Sequence, residues 1–209
     1  MAAQGQRNRN LDALLAVWAL GLLWSGYAPQ DRATWCMEVA PAVVAAAVLW
    51  QTRGRFTPTP LMLALVLLHG LILMVGGKYT YAHVPLGFWM QDWFGLARND
   101  YDRIGHFAQG LVPAIVAREL LLRVFHIGSR RLLAFLVIAI CLAISAAYEL
   151  IEWGAALALG QGADEFLGTQ GDPWDTQEDM FTCLIGAVAA VLTLSRFHDR
   201  QIAKREAKA

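Results

Sequence analysis

The chain has 209 residues, of which 57% are hydrophobic and 16% charged, with 17 basic side chains balancing 17 acidic ones and a positive mean hydropathy. That composition suits a protein whose solvent is lipid, and a formal net charge of zero would exclude a generic nucleic-acid binder if the charge were evenly spread, which the distribution below shows it is not. Cys36, Cys141 and Cys183 are odd in number and lie in or beside apolar runs, so they build neither a disulfide framework nor a paired-thiolate metal clip.

In chain order, polar Met1 to Asn10 precede an apolar run from Leu11 to Tyr27. The pair imitates a secretory signal, yet the run is as long as a full span and others follow, so we read an uncleaved first helix. Further apolar runs cover Trp35 to Trp50, Leu61 to Val75, Ile104 to Phe125, Leu132 to Trp153 and Met180 to Ser195. A helix crossing the bilayer needs ~20 residues, with tolerance for shorter spans, and lipid offers the backbone no hydrogen bonds, so each run is predicted helical. The expected fold class is therefore all-α: a polytopic membrane protein with about six transmembrane helices in one bundle. We expect a single domain over residues 1–209 with a basic tail from about residue 196.

Orientation follows from Lys and Arg, which favour the cytoplasmic side. With the N-terminus inside, thirteen fall in inner segments and four (Arg32, Lys78, Arg98 and Arg103) in outer ones, so both termini are expected on the cytoplasmic side. Trp24, Trp35, Trp89, Trp93, Trp153 and Trp174 then sit near the outer boundary, where indole rings settle. The stretch His83 to Leu96 is too short to span. With Phe88, Trp89, Trp93 and Phe94 around Asp92, it is expected as an amphipathic helix in the outer interface.

Against this apolar background the ionisable residues collect in one layer. The fourth run opens with Asp102-Arg103-Ile104-Gly105-His106, placing Asp102, His106 and Gln109 on one helical face. Asp102 alone reads as a helix cap, and the positive end of the helix dipole favours a neutral His106 with a lone pair to offer. The fifth run ends with Glu149 and Glu152, three residues apart on one face at a helix C-terminus, where both the dipole and mutual repulsion oppose them. A cation must compensate: a bound metal ion, Arg103, Lys78 or a proton shared by the pair. The sixth run begins with Asp175 and Asp179, four apart, at least one of them expected to cap its helix. Glu38 joins the same layer, and Gly160, Gly162, Gly168 and Gly171 mark a turn-rich outer loop that could cover a site. Arg118 and Glu119, at the inner end, are expected to pair or snorkel.

Oxygen ligands with one imidazole favour hard divalent ions, namely magnesium, manganese or calcium, or a carboxylate-bridged iron site; structural zinc lacks its usual ligands here. The candidate ligands are Asp102, His106, Glu149, Glu152, Asp175 and Asp179, and the candidate catalytic groups are Glu149, Glu152, Lys78 and Arg103. No phosphate-binding loop, nucleophile elbow or HExxH motif occurs.

The chain resembles the YjdF-like family of bacterial inner-membrane proteins, a domain of unknown function, from about Thr52 to Ser195. The motifs are Gly76-Gly77-Lys78-Tyr79-Thr80-Tyr81, Val84-Pro85-Leu86-Gly87, Tyr101 to Phe107, Tyr148 to Trp153 and Gly171 to Gln177; Asp100 stands where the family pattern implies His. A looser similarity to VanZ-like antibiotic-resistance proteins involves Asp102, Arg103, His106 and Phe107, an acid near Glu149, and Asp179 followed by Gly186, with Cys183 where that pattern has Asn. The first resemblance implies a membrane location without an activity, the second a role at the envelope. Three functions are open: a metal-dependent hydrolase or transferase on a lipid-linked or amphipathic substrate, a small proton-coupled transporter or channel, and a structural scaffold. The expected partners are membrane lipids and no nucleic acid.

Overall fold

A computed structural model of the protein describes residues 2–159 and 170–207, and every regular element among them is helical. Gly160, Gly162, Gly168 and the rest of the expected loop before Gln170 lie outside the described residues. The chain divides into two compact units, Met1–Tyr81 and Ala82–Ala209.

The first unit holds α1 (Ala2–Gly26), α2 (Arg32–Thr52) and α3 (Pro60–Tyr79). Asp31 starts α2 by accepting the Thr34 amide at 2.7 Å, and Thr59 starts α3 by accepting the Met62 amide at 3.3 Å, with Pro60 in the first turn where no amide partner is lost. The Gly-Gly-Lys-Tyr-Thr-Tyr motif proves to be a helix-ending device. Thr80 and Tyr81 adopt positive φ, the Tyr81 amide returns to the Gly76 carbonyl at 2.9 Å, and the Tyr81 ring occupies the space a Gly76 side chain would need. Lys78 donates to the carbonyls of Tyr27 and Trp24 at 2.7 and 3.3 Å, closing the end of α1. Glu38 is buried within this unit.

The second unit holds α4 (Pro85–Phe94), α5 (Tyr101–Arg123), α6 (Arg130–Leu159), α7 (Asp175–Ala189) and α8 (Ser195–Glu206); a π-helical turn at Ala190–Leu194 joins the last two into one rod. The charge-bearing helix α5 is also its most hidden: Ile115 is fully buried, and so is the Glu119 carboxylate. The apolar helices carry their large side chains outward, with Phe135, Leu150 and Leu157 on α6 and Phe181 and Leu192 on the last rod exposed. Polar inside and apolar outside is the arrangement lipid selects.

Among the described residues, four helices are long and apolar enough to cross a membrane: α2, α3, α6 and the rod from Asp175 to Glu206. They match four of the six expected spans. The apolar part of α1, Leu11–Gly26, is shorter, and α5 carries Asp102, Arg103, Arg118, Glu119 and Arg123. The segment expected in the outer interface does form a helix, α4, with Phe88, Trp89, Trp93 and Phe94 exposed.

Candidate functional site

Two glycines set the register of the site. A side chain on Gly110 of α5 would strike the Cys183 carbonyl of α7, and one on Gly186 of α7 would strike the Phe107 carbonyl of α5, so the two backbones meet with nothing between them. The helices run side by side in the same direction. The 76 residues that separate Gly110 from Gly186 also separate Arg103 from Asp179, whose side chains bond at 2.7 Å. Close small-residue packing thus delivers the polar openings of both helices to one place.

At that place two arginines face a row of acids. Arg98, just before α5, bonds Asp175 at 2.5 Å and Asp100 at 3.2 Å, and lies 3.6 Å from Asp172. Arg103 bonds Glu178 at 2.5 Å and Asp179 at 2.7 Å, with Asp172 at 3.5 Å and Asp175 at 3.8 Å. Burial alone would make Arg98 easier to deprotonate; hydrogen bonding and charge attraction from Asp175, with help from Asp100 and Asp102, outweigh it and raise its pKa. The loop before α5 is pinned by Asn99. Its side-chain amide donates to the Val84 carbonyl at 3.0 Å, its Oδ1 accepts the Tyr101 amide at 3.2 Å, and its backbone exchanges bonds with the Gln170 side chain at 3.2 and 2.9 Å.

Deeper, His106 forms the centre. Its Nε2 lies 3.3 Å from Asp102 Oδ1 and 3.6 Å from Asp179 Oδ2, while its Nδ1 meets Gln109 Oε1 at 3.2 Å and lies 3.9 Å from Glu149 Oε1. With Nδ1 donating to Gln109, the lone pair of Nε2 faces the two aspartates. Asp179 is held from both sides, one oxygen on Arg103 and the other toward His106. Glu149 accepts from Thr176, yet its Oε1 is buried without a hydrogen-bond partner. A buried carboxylate oxygen left so is costly, and the field of three carboxylates draws a cation to this spot. That field opposes the helix-dipole argument for a neutral ring, which considered α5 in isolation.

The predicted residues therefore divide. Asp102, His106 and Asp179 bring one ligand atom each within 4.8 Å of one another, and Glu149 joins them across the ring. Asp175 belongs to the arginine row, and Glu152, half-buried, lies outside the ligand triad. Neither Asp102 nor Asp175 caps its helix: α5 and α7 start at Asp100 and Trp174 with no side-chain cap, and the acids sit inside the first turns, facing His106 and the arginines. Arg98, Asp172 and Gln109 complete the site, and only Gln109 could be placed on its face by helical spacing.

A second polar cluster occupies the other end of α5. His198 of α8 lies 3.0 Å from Glu119 and 3.1 Å from Arg118; Glu119 also accepts from Arg123 at 2.5 Å, and Arg118 bonds Asp199. His198 and Glu119 have no solvent exposure. Arg118 and Glu119, expected to pair or snorkel, find these partners on α8 and one turn along α5.

A family described as "Predicted membrane protein (DUF2238)" matches residues 11–200. "Inner membrane protein YjdF" of Escherichia coli (strain K12) is 58% identical over 181 residues, 87% of this chain and 87% of that protein. No solved structure matches. The looser VanZ-like likeness is carried by neither match. The chain belongs to the DUF2238 family and is a multi-pass protein of the inner membrane.

Proposed function

We propose that this member of the DUF2238 family is a divalent-metal-dependent hydrolase or transferase, working at the outer leaflet on a lipid-linked or amphipathic envelope substrate. One observation carries the reading: the His106, Asp102 and Asp179 donor atoms converge at spacings of 3.3 and 3.6 Å from Nε2. Metal–ligand bonds of about 2.0–2.4 Å place adjacent ligand atoms roughly 3.0–3.7 Å apart, so the three fit a single ion. Two carboxylates and an imidazole suit magnesium, manganese, calcium or iron. Supporting contacts accompany them, Gln109 on Nδ1 and Arg103 on the outer oxygen of Asp179, as ligands of a working site require.

A bound ion supplies Lewis acidity and makes nearby water more acidic. Glu149, whose unpartnered Oε1 lies 3.9 Å from His106 Nδ1, would serve as the base. Arg103 and Arg98, ordered by the acids around them, oppose negative charge developing on the substrate. Lys78 has a structural task instead, its ammonium already donating to two carbonyls of the first unit. The uneven distribution of Lys and Arg supports cytoplasmic termini and a periplasmic site. In that arrangement α1 and α5 complete six spans, with α5 screened from lipid by its neighbours and α4 lying in the outer interface.

The test is metal analysis of the detergent-purified protein. About one divalent ion per chain is expected in the wild type and far less in H106A and D179N. A metal-free protein, unchanged in melting temperature by chelator or by added manganese, would overturn the proposal.

A proton-coupled transporter is the second reading, favoured by the Glu119–His198 cluster at the far end of α5. Between the two clusters Val112, Ala114 and Ile115 are buried and apolar, a layer that protons must breach. Proton flux into reconstituted vesicles, abolished by both E149Q and E119Q, would put this reading first; tight vesicles leave the metal site ahead.

A further inference from the structure

Beside the second cluster, away from the acid–histidine site, lies a crevice of about 530 Å³ between the end of α5, the start of α6 and the π-helical turn. Its charges are unbalanced: Arg118, Arg130 and Arg196 line it against the single carboxylate of Asp199. Asp199 is taken by Arg118, whereas Arg130 and Arg196 are exposed and have no ion-pair partner among the described residues. Arg130 is also the first residue of α6, so the free amides and positive dipole end of that helix add to the same field.

The rest of the crevice is apolar. Leu133 and Val137 form a buried floor, and Leu192 stands at its side 77% exposed, on the outward face of a membrane-crossing rod. A site with guanidinium groups at one end and an apolar trough open toward lipid suits a molecule with the same division. The π turn contributes Val191 and Leu192 and displaces the residues after it by one position, which brings Ser195, Arg196 and Asp199 to the crevice.

We infer that this crevice is a binding site for an anionic glycerophospholipid, its phosphate held by Arg118, Arg130 and Arg196 and an acyl chain lying on Leu133, Val137 and Leu192. The site is independent of any ion at His106. Arg118 is already ordered by Asp199 and His198, so it is a fixed donor, and Arg130 and Arg196 close on the phosphate when the lipid arrives.

The experiment uses delipidated full-length protein in neutral detergent, titrated with phosphatidylglycerol and followed by native mass spectrometry and thermal unfolding. Phosphatidylglycerol is expected to bind at one site per chain and raise the melting temperature, while phosphatidylcholine and inorganic phosphate do neither. The double variant R130Q/R196Q, which leaves the buried Arg118 network intact, should bind at least ~10-fold more weakly. A134F, placing a ring in the trough without touching the cations, should also lose the lipid. Both variants must retain the wild-type helical content. Unchanged phosphatidylglycerol binding in the double variant, equal binding of phosphatidylcholine, or binding of phosphate alone as tight as that of the lipid would each overturn the inference.

Discussion

Asp179 divides its two oxygens between Arg103 and His106 and is almost completely buried, so the fate of either partner is felt through it. Removing the guanidinium with R103Q leaves buried carboxylates uncompensated and should destabilise the protein by about 3–5 kcal/mol in detergent unfolding, because an orphaned buried charge costs far more than the pair contributes. The double variant R103Q/D179N should regain most of that loss; a simple sum of the single effects would show that the two are not coupled. In the other unit the same logic operates at a solvated helix end. The Thr34 amide, aided by its hydroxyl, holds Asp31 below its ordinary value of 3.8. Its folded pKa is depressed, so its stabilisation is present above the unfolded value and fades as pH falls through the folded one. D31A should therefore cost ~1 kcal/mol at neutral pH and progressively less as acid protonates the wild type. A flat difference across that range would mean that the cap is idle. Charged residues on one helical face were readable from spacing, which is why Asp102, His106 and Gln109 could be placed together. Arg98 could not be matched to Asp175, 77 residues away, because no local periodicity records such a pairing. Adjacent positions on a helix point about 100° apart, so Arg118 and Glu119 had to find partners beyond each other, and His198 on α8 supplies one to both.

The α5–α7 pair turns those residues into a site, and its register rests on Gly110 and Gly186. Replacing Gly186 with leucine puts a side chain where the Phe107 carbonyl stands. We expect G186L to lower stability by at least ~1–3 kcal/mol and to abolish metal retention together with it, since the helices cannot separate without parting Asp179 from His106. Retention of metal in a folded G186L protein would contradict that link. Apolar run lengths located these helices well in the sequence. Which carbonyl Gly186 meets depends on the tertiary register, which a single chain does not encode locally. The π turn was not foreseen either, because Ala190–Leu194 has an ordinary helical composition. A π turn holds one extra residue, so deleting Val191 should restore an unbroken α-helix and keep the residues after it facing as they do. The His198–Glu119 contact and the His106 cluster should both survive; loss of that contact in a folded variant would show that the π geometry itself is needed to place α8.

The chain inverts the soluble pattern, with many large apolar side chains exposed and the buried charges of its second unit gathered on α5 and the helices packed against it. That inversion was already implied by composition and hydropathy, and four spans by run length; the standing of α5 is different. A helix with so many charges fails a hydropathy criterion, and it would become acceptable in lipid only through the cover that α6, α7 and the π turn give it. The Lys and Arg distribution predicts cytoplasmic termini: a fluorescent protein fused after Ala209 should mature and an alkaline phosphatase fused there should stay inactive, the opposite pair of outcomes reversing the orientation and moving the site to the other leaflet. The claim on which the account depends is that His106 Nε2, Asp102 and Asp179 jointly hold one ion. Pulsed electron paramagnetic resonance of purified protein loaded with one equivalent of manganese tests it at the ligand atoms themselves. The account predicts a nitrogen coupling from a directly bound imidazole, lost in H106A, with manganese affinity greatly reduced in D102N and D179N; a manganese signal without nitrogen coupling, or one unchanged by H106A, would contradict it.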